Sequence, residues 1–320
     1  MVRHRAYVLG WYGHGNLGDE SFKAAFKTLW SDVDFTFRDH LSDEVNTFDS
    51  LWVGGGSFLS NEIPGVASTD VKVPIYIVGV GVDPGTKPSS RKLLEKARLV
   101  IVRDTASLKH YPALVAPDLA FSIKTDPCYI GASKAKQVVI LLNDFLTPNS
   151  DSPEWRSVAY QWFINQFSEA CNALVEQGYV LHFMPMCTGD IDDRRISAAI
   201  VGRIKNKSRA IWYVRPVTFD ELMTQLANSE FTITQRFHGI VFSTICGTPF
   251  ISIRSHDKMQ SLTKEMKWEG DLDYYGFNKL QLDQARRSVD GQRKRLLDFA
   301  HDKLVEWACI SDTVKRGLSL

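Results

Sequence analysis

The chain has 320 residues, enough for two domains that each bury a core, which excludes a disulfide-stapled miniprotein or a disordered tail. Its 38 Lys and Arg against 37 Asp and Glu leave a formal charge of +1, so no global field steers it to nucleic acid and any bound anion must be held locally. The longest apolar runs, such as 73–82 and 138–142, are strand-sized and fall short of the ~20 residues a membrane helix needs. From the start, the pattern predicts a strand at 6–9, a helix over about 21–30, and strands at 35–37 and 50–53, the last running into Gly54-Gly55-Gly56. Strands at 75–78 and 99–102 continue the series. A boundary is expected in the stretch holding Pro127, Gly131 and residues 133–136. A second series follows, with strands at 138–142, 179–184, 210–213, 231–234 and 250–253 and helices at 154–176 and 239–246. Apolar residues recur at helical spacing from about 280 to 315, with Gly291 as a weak point.

Strands alternating with helices imply an α/β protein with parallel sheets. The expected domains are 1–132, 133–278 and a helical segment, 279–320, bracing them. The five cysteines, Cys128, Cys171, Cys187, Cys246 and Cys309, are odd in number and widely spaced, which suits a reducing cytoplasm and implies neither disulfide framework nor zinc site. The basic patch Arg286, Arg287, Arg293, Lys294 and Arg295 is expected to be a solvated helix face.

The segment Gly13-His14-Gly15-Asn16-Leu17-Gly18 matches the glycine pattern of a dinucleotide fold, with Asp39 at about the right distance. Asp19 and Glu20 count against that reading. They stand in the first helical turn, where a pyrophosphate would need bare N–H groups and the positive end of the dipole. The local alternative is that the glycines supply turn geometry and Asp19 caps the helix.

From this loop onward the chain resembles the polysaccharide pyruvyl transferase family. Residues 13–20 resemble its opening signature, and co-linear support follows at Val53-Gly54-Gly55-Gly56-Ser57-Phe58-Leu59, Gly79-Val80-Gly81, Val102-Arg103-Asp104 and Pro117-Asp118-Leu119-Ala120-Phe121. Arg236-Phe237-His238-Gly239, Gly247-Thr248-Pro249 and Asp257-Lys258 complete it, so that the resemblance spans about 6 to 260. It implies two facing Rossmann-like domains in the manner of B-type glycosyltransferases, with a C-terminal helix. The implied activity is transfer of a pyruvyl group from phosphoenolpyruvate to sugar hydroxyls as a ketal. The implied acceptor is a glycan or lipid-linked saccharide, which would bring the protein peripherally to a membrane. No nucleic acid partner and no cofactor are implied.

Phosphoenolpyruvate carries a phosphate and a carboxylate and needs converging cations. Arg236 and His238 follow the strand at 231–234, Lys258 follows the next strand, and Arg103 follows the strand at 99–102 in the first domain, where it could close on the ligand from the opposite wall. These four are the expected donor-binding residues, with His238 also supplying or relaying a proton. Each has a bland alternative: Arg103 paired with Asp104, Arg236 bracing its loop, His238 packed in the core, Lys258 exposed decoration beside Lys264 and Lys267. Asp19 is the candidate acceptor base, with Glu20 and Asp118 behind it. Trp11, Tyr12, Asn16 and Glu20 are candidate acceptor contacts, with core packing competing for the two aromatics. No metal cluster with ligand spacing is present in the sequence, so activity is expected to persist in chelator. The rival functions are a nucleotide-sugar-dependent glycosyltransferase and a non-catalytic glycan-binding relic. Segments 143–155 and 268–277 match no pattern.

Overall fold

The computed structural model describes residues 3–124, 135–144, 153–189, 191–255, 257–275 and 277–318. The expected boundary residues Pro127, Gly131, Ser133 and Lys134, the thiol of Cys128 and the centre of the 143–155 loop lie outside them. The chain divides into two compact units, one of 1–124 with 301–320, the other of 125–300. The C-terminal residues 279–320 are thus shared between the units at position 300.

Unit 1 carries β1 (His4–Leu9), β2 (Val33–Arg38), β3 (Ser50–Gly56), β4 (Ile75–Val80), β5 (Leu99–Val102) and β6 (Leu114–Val115), with α1 (Leu17–Leu29) and α2 (Pro88–Lys96) among them. All pairings are parallel, in the order β2-β1-β3-β4-β5-β6. Strands covered on both faces read as unbroken apolar runs, which is why β3 and β4 are buried along their whole length. An aromatic cluster of Phe26, Phe35, Trp52, Trp30 and Trp307 packs on one face. Trp307 comes from α9 (Arg293–Leu318), and its indole N–H donates to the Asp118 carbonyl at 3.2 Å.

Unit 2 repeats the plan with β7 (Ala135–Leu141), α3 (Pro153–Glu176), β8 (Val180–Phe183), α4 (Arg194–Val201), β9 (Ala210–Trp212), α5 (Phe219–Asn228), β10 (Ser229–Thr234), α6 (Phe237–Ile245), β11 (Phe250–Arg254), α7 (Asp257–Glu265), β12 (Asp271–Asp273) and α8 (Lys279–Val289). Its parallel order is β9-β8-β7-β10-β11-β12, the doubly wound order, with a topological switch between β7 and β10. Unit 1 has its own switch between β1 and β3. Ligands of open parallel sheets collect at the carboxyl ends of the strands flanking such a switch.

Three local differences from the expected elements bear on the site. The first helix starts at Leu17, earlier than 21, because the Asn16 side chain accepts the Gly18 N–H at 3.1 Å and caps it; Asp19 is therefore not the cap. Helix α6 starts at Phe237, so His238 lies inside its first turn. The tail breaks at Gly291, whose φ of +72° suits glycine alone, into α8 and α9. The described residues of 268–277 pack on unit 2: Trp268 stacks on Phe250 at 4.5 Å, Tyr274 on Phe163 at 4.7 Å, and β12 pairs with β11 at the end of the sheet.

Candidate functional site

At the switch of unit 2, β10 ends at Thr234 and the chain turns through Gln235 and Arg236 into α6. The Thr234 hydroxyl accepts the Arg236 N–H at 3.0 Å, and the Asn143 N–H donates to Gln235 Oε1 at 3.2 Å, tying this turn to the end of β7. Gly239 lets the helix approach the strand: a Cβ there would stand 2.2 Å from Thr234 Oγ1. The motif Arg236-Phe237-His238-Gly239 is thus held at the carboxyl ends of β7 and β10.

Arg236 is gripped by Asp193. The guanidinium Nε donates to Asp193 Oδ2 at 3.1 Å and Nη2 donates to Oδ1, while Nε also lies 3.4 Å from the Leu142 carbonyl. Asp193 is wholly buried and further accepts the N–H groups of Met186 at 3.1 Å and Cys187 at 2.9 Å. Burial raises its carboxyl pKa while the Arg236 charge opposes that rise. The bracing alternative for Arg236 therefore has a definite partner, and Nη1 is left without a hydrogen bond to any described residue. Sequence reasoning missed Asp193, which lies 43 positions from Arg236 in a doublet with Asp192.

His238 packs its ring on Phe242 at 5.8 Å and edge-on to Phe237 at 5.4 Å. Lys258, exposed in the first turn of α7, places its ammonium 5.5 Å from the centre of the Phe237 ring. Phe237 is thus a shared neighbour of His238 and Lys258, and the structure brings both beside Arg236 at one edge of the sheet. Asp144 is at the same edge: its N–H lies 3.4 Å from Asp193 Oδ1, and its carboxylate accepts the Tyr160 hydroxyl at 3.2 Å. Burial raises the pKa of Asp144 and pushes that of Tyr160 up to about 12.

In unit 1, Arg103 follows β5. Its Nη2 donates to the Ser57 hydroxyl at 2.7 Å, and Nη1 lies 3.6 Å from Asp118 Oδ2, closer than the 3.8 Å from Nε to the neighbouring Asp104. Asp118 is buried and its Oδ1 accepts the Ala120 N–H at 3.0 Å, so it caps a turn and faces the guanidinium. Asp104 accepts the Ser107 N–H at 2.9 Å.

The remaining candidates cluster at the switch between β1 and β3. Asp19 Oδ1 stands 3.0 Å from where a Cβ of Gly56 would lie. Glu20 accepts the Gly13 N–H at 2.5 Å and the Lys23 ammonium at 2.6 Å, holding the glycine loop closed. Trp11 is half-buried and stacks on His14 at 3.9 Å. Tyr12 is a core residue, buried edge-on to Phe37 with its hydroxyl donating to the Gly54 carbonyl at 3.3 Å. Asp39, the carboxylate a dinucleotide fold would aim at a ribose, is engaged by His14 at 3.3 Å and His40 at 2.9 Å.

A family model described as polysaccharide pyruvyl transferase matches residues 16–257. The chain belongs to the polysaccharide pyruvyl transferase family. The matched span takes in every candidate of this family member except Trp11, Tyr12 and Lys258, the last of which follows it directly. The amylovoran biosynthesis protein AmsJ of Erwinia amylovora is 21% identical over 258 residues, which cover 72% of this chain and 62% of AmsJ, less than two thirds of that relative's length. Among solved structures, the UDP complex of S. aureus MnaA superposes with a TM-score of 0.63 at 15% identity, covering 99% of this chain and 97% of that one. The UDP-GlcNAc 2-epimerase of Methanocaldococcus jannaschii does so with 0.62 at 10% identity, covering 98% and 99%. Acinetobacter baumannii MurG gives 0.53 at 10%, covering 98% and 100%. At such identities these likenesses speak to fold alone, and they bear out the expected pair of Rossmann-like domains for this pyruvyl transferase family member. No helix among the described residues is long and apolar enough to cross a membrane.

Proposed function

We propose that this protein transfers the pyruvyl group of phosphoenolpyruvate to two hydroxyls of a glycan or lipid-linked saccharide, closing a cyclic ketal and releasing phosphate. Family membership supports the reaction class. The observation that carries the reading is the grouping of Arg236, at the N-cap of α6, with His238 and Lys258, which stand around Phe237 in the first turns of α6 and α7. Helix N-termini favour anions, and two cations with a proton-bearing ring suit a small molecule that is both phosphate and carboxylate.

In this reaction the methylene carbon of the donor takes up a proton, leaving an oxocarbenium-like central carbon. A sugar hydroxyl adds there and loses its proton. The bond from that carbon to the phosphate oxygen then breaks with its electron pair on phosphate, and the second hydroxyl adds and loses its proton to close the ketal. Of the two protons released, one balances that taken by the methylene and the other leaves with phosphate. His238 supplies or relays the first proton. Arg236, through Nη1, and Lys258 stabilise charge on the departing phosphate. Arg103 is the proposed anion contact of unit 1, and Asp19 is the proposed acceptor base. No cofactor enters the scheme.

The test is incubation of the full chain with phosphoenolpyruvate and a panel of galactosides and N-acetylmannosamine glycosides, following phosphate and the mass of the glycan. Phosphate release matched by a pyruvyl-sized mass gain, and lost about 100-fold or more in His238→Ala, is expected. Stabilisation by UDP- or CMP-sugars but not by phosphoenolpyruvate, with no mass gain, would overturn the reading in favour of a glycosyltransferase.

A further inference from the structure

Among the described residues, the outer edge of the unit 2 sheet is β9, bonded on one side only, to β8. It exposes Ile211 and Trp212, and Val214 just beyond is 58% exposed. Water-facing apolar residues of this size on an open strand are costly unless something covers them. The residues around them are one-sided in charge: the 26 residues from Arg194 to Phe219 hold seven Arg and Lys and no Asp or Glu, in a chain whose net charge is only +1. Arg194 is neutralised by Asp192, and Arg215 by Glu221. Arg203, Lys205, Lys207 and Arg209 are all exposed and none forms an ion pair with a described residue. Three of them rest instead on backbone carbonyls, Arg203 on Ala199, Lys207 on Val201 and Arg209 on Gly178, which leaves their charge uncompensated.

We propose that this edge is a docking surface for an anionic lipid bilayer, with Arg203, Lys205, Lys207 and Arg209 meeting headgroup phosphates and Trp212, Ile211 and Val214 entering the interface. Charge selects the occupant. A second copy pairing strand to strand along this edge would bring two sets of four like charges together. A nucleic acid would satisfy the cations and leave Ile211 and Val214 facing a polar surface. A bilayer surface offers negative headgroups beside an apolar boundary, and an indole suits that boundary. Edge-guarding lysines occur on many sheets, yet the open edge strand β6 of unit 1, which exposes Leu114 and Val115, has no such run, with Asp104 and Asp118 nearby in sequence. Strand β9 is parallel to β10, so Val214 follows its carboxyl end, the edge of the sheet that also bears Arg236 and His238.

Co-sedimentation of the full chain with vesicles of phosphatidylcholine alone and of the same lipid with about a third phosphatidylglycerol tests this. Binding to the anionic vesicles that falls as salt rises, and little binding to neutral ones, is expected. Changing Arg203, Lys205, Lys207 and Arg209 together to Gln should weaken it by about 100-fold or more, at roughly fivefold per charge. Trp212→Ser should weaken it by about tenfold. Unfolding midpoints show that each variant is folded, and the salt series on the unaltered chain needs no variant. Transfer to a short, soluble acceptor should stay unchanged in the quadruple variant, so the docking surface and the proposed reaction stand or fall separately. Equal binding to both vesicle types, salt-insensitive binding, oligonucleotide binding without vesicle binding, or a dimer abolished by Trp212→Ser without vesicle binding would each overturn the proposal.

Discussion

Replacing Asp193 by Asn keeps the shape of the side chain and removes its charge. In the native protein the carboxylate, with no exposure, receives the Arg236 guanidinium through two N–H donors and the N–H groups of Met186 and Cys187. The amide has one acceptor oxygen for these four donors, and its own NH2 must face either the guanidinium or the main chain. The Arg236 side chain is 14% exposed, so its charge would remain largely desolvated and unpaired. Breaking a buried pair in this way costs about 3–5 kcal/mol. For a unit the size of 125–300, that lowers the thermal midpoint by about 10 °C, at roughly 2–4 °C per kcal/mol. Calorimetry of Asp193→Asn measures this directly. The double variant Asp193→Leu with Arg236→Met leaves no orphaned charge, and its loss of stability should be well below the sum of the two single losses. An Asp193→Asn midpoint within ~1 °C of the parent, or additive losses in the double variant, would refute the argument that this pair anchors the turn into α6.

Gly55 has φ of +85° and an ideal Cβ there would lie 2.1 Å from Phe22 Cδ2, so Gly55→Ala should cost about 2–4 kcal/mol, read from chemical denaturation; a loss below ~1 kcal/mol would contradict the close approach of α1 to β3. His182 is 5% exposed, with Nδ1 3.2 Å from the Tyr213 hydroxyl, and burial lowers its pKa from 6.5. The folded state therefore favours the neutral ring, stability is fully present above the unfolded pKa, and it is lost as pH falls from there toward the folded pKa. Denaturation midpoints from about pH 8 to pH 5 should show this slope, flattened in His182→Gln, and an unchanged slope in that variant would assign it to other groups. Tyr12→Phe removes only the hydroxyl that reaches the Gly54 carbonyl, so stability should fall by about 1 kcal/mol with acceptor KM unchanged; a raised KM would restore Tyr12 to the acceptor site.

Strands were legible because residues covered on both faces are mostly apolar, and β1, β3, β4, β5 and β7 each contain a short run of that kind, whereas β10 is marked only by Phe231 and Ile233 alternating with Thr232 and Thr234. Helix starts were less so. At α1 the decisive event is a single hydrogen bond from Gly18 to Asn16, and polarity alone does not distinguish Asn16 from Asp19 as its acceptor. At the candidate site, the motif order placed Arg236, His238 and Lys258 just beyond β10 and β11, since strand ends follow from local pattern. Partners distant in sequence did not. Arg103 was weighed against the adjacent Asp104, yet its buried counterpart is Asp118, and the carboxylate holding Arg236 comes from the start of α4. Trp11 and Tyr12 are consecutive and similar in character, and only the placement of Phe37 and Gly54 sends one to the core and leaves the other at the loop.

Trp307, from the 301–320 segment, fills the aromatic cluster of a unit whose other segment ends at 124. During synthesis the first 124 residues must wait for that indole, for on the order of 10 to 40 s at ordinary elongation rates, with Trp30 and the Asp118 carbonyl lacking their native neighbour. The core built from residues 1–124 is therefore completed only after unit 2 has been synthesised.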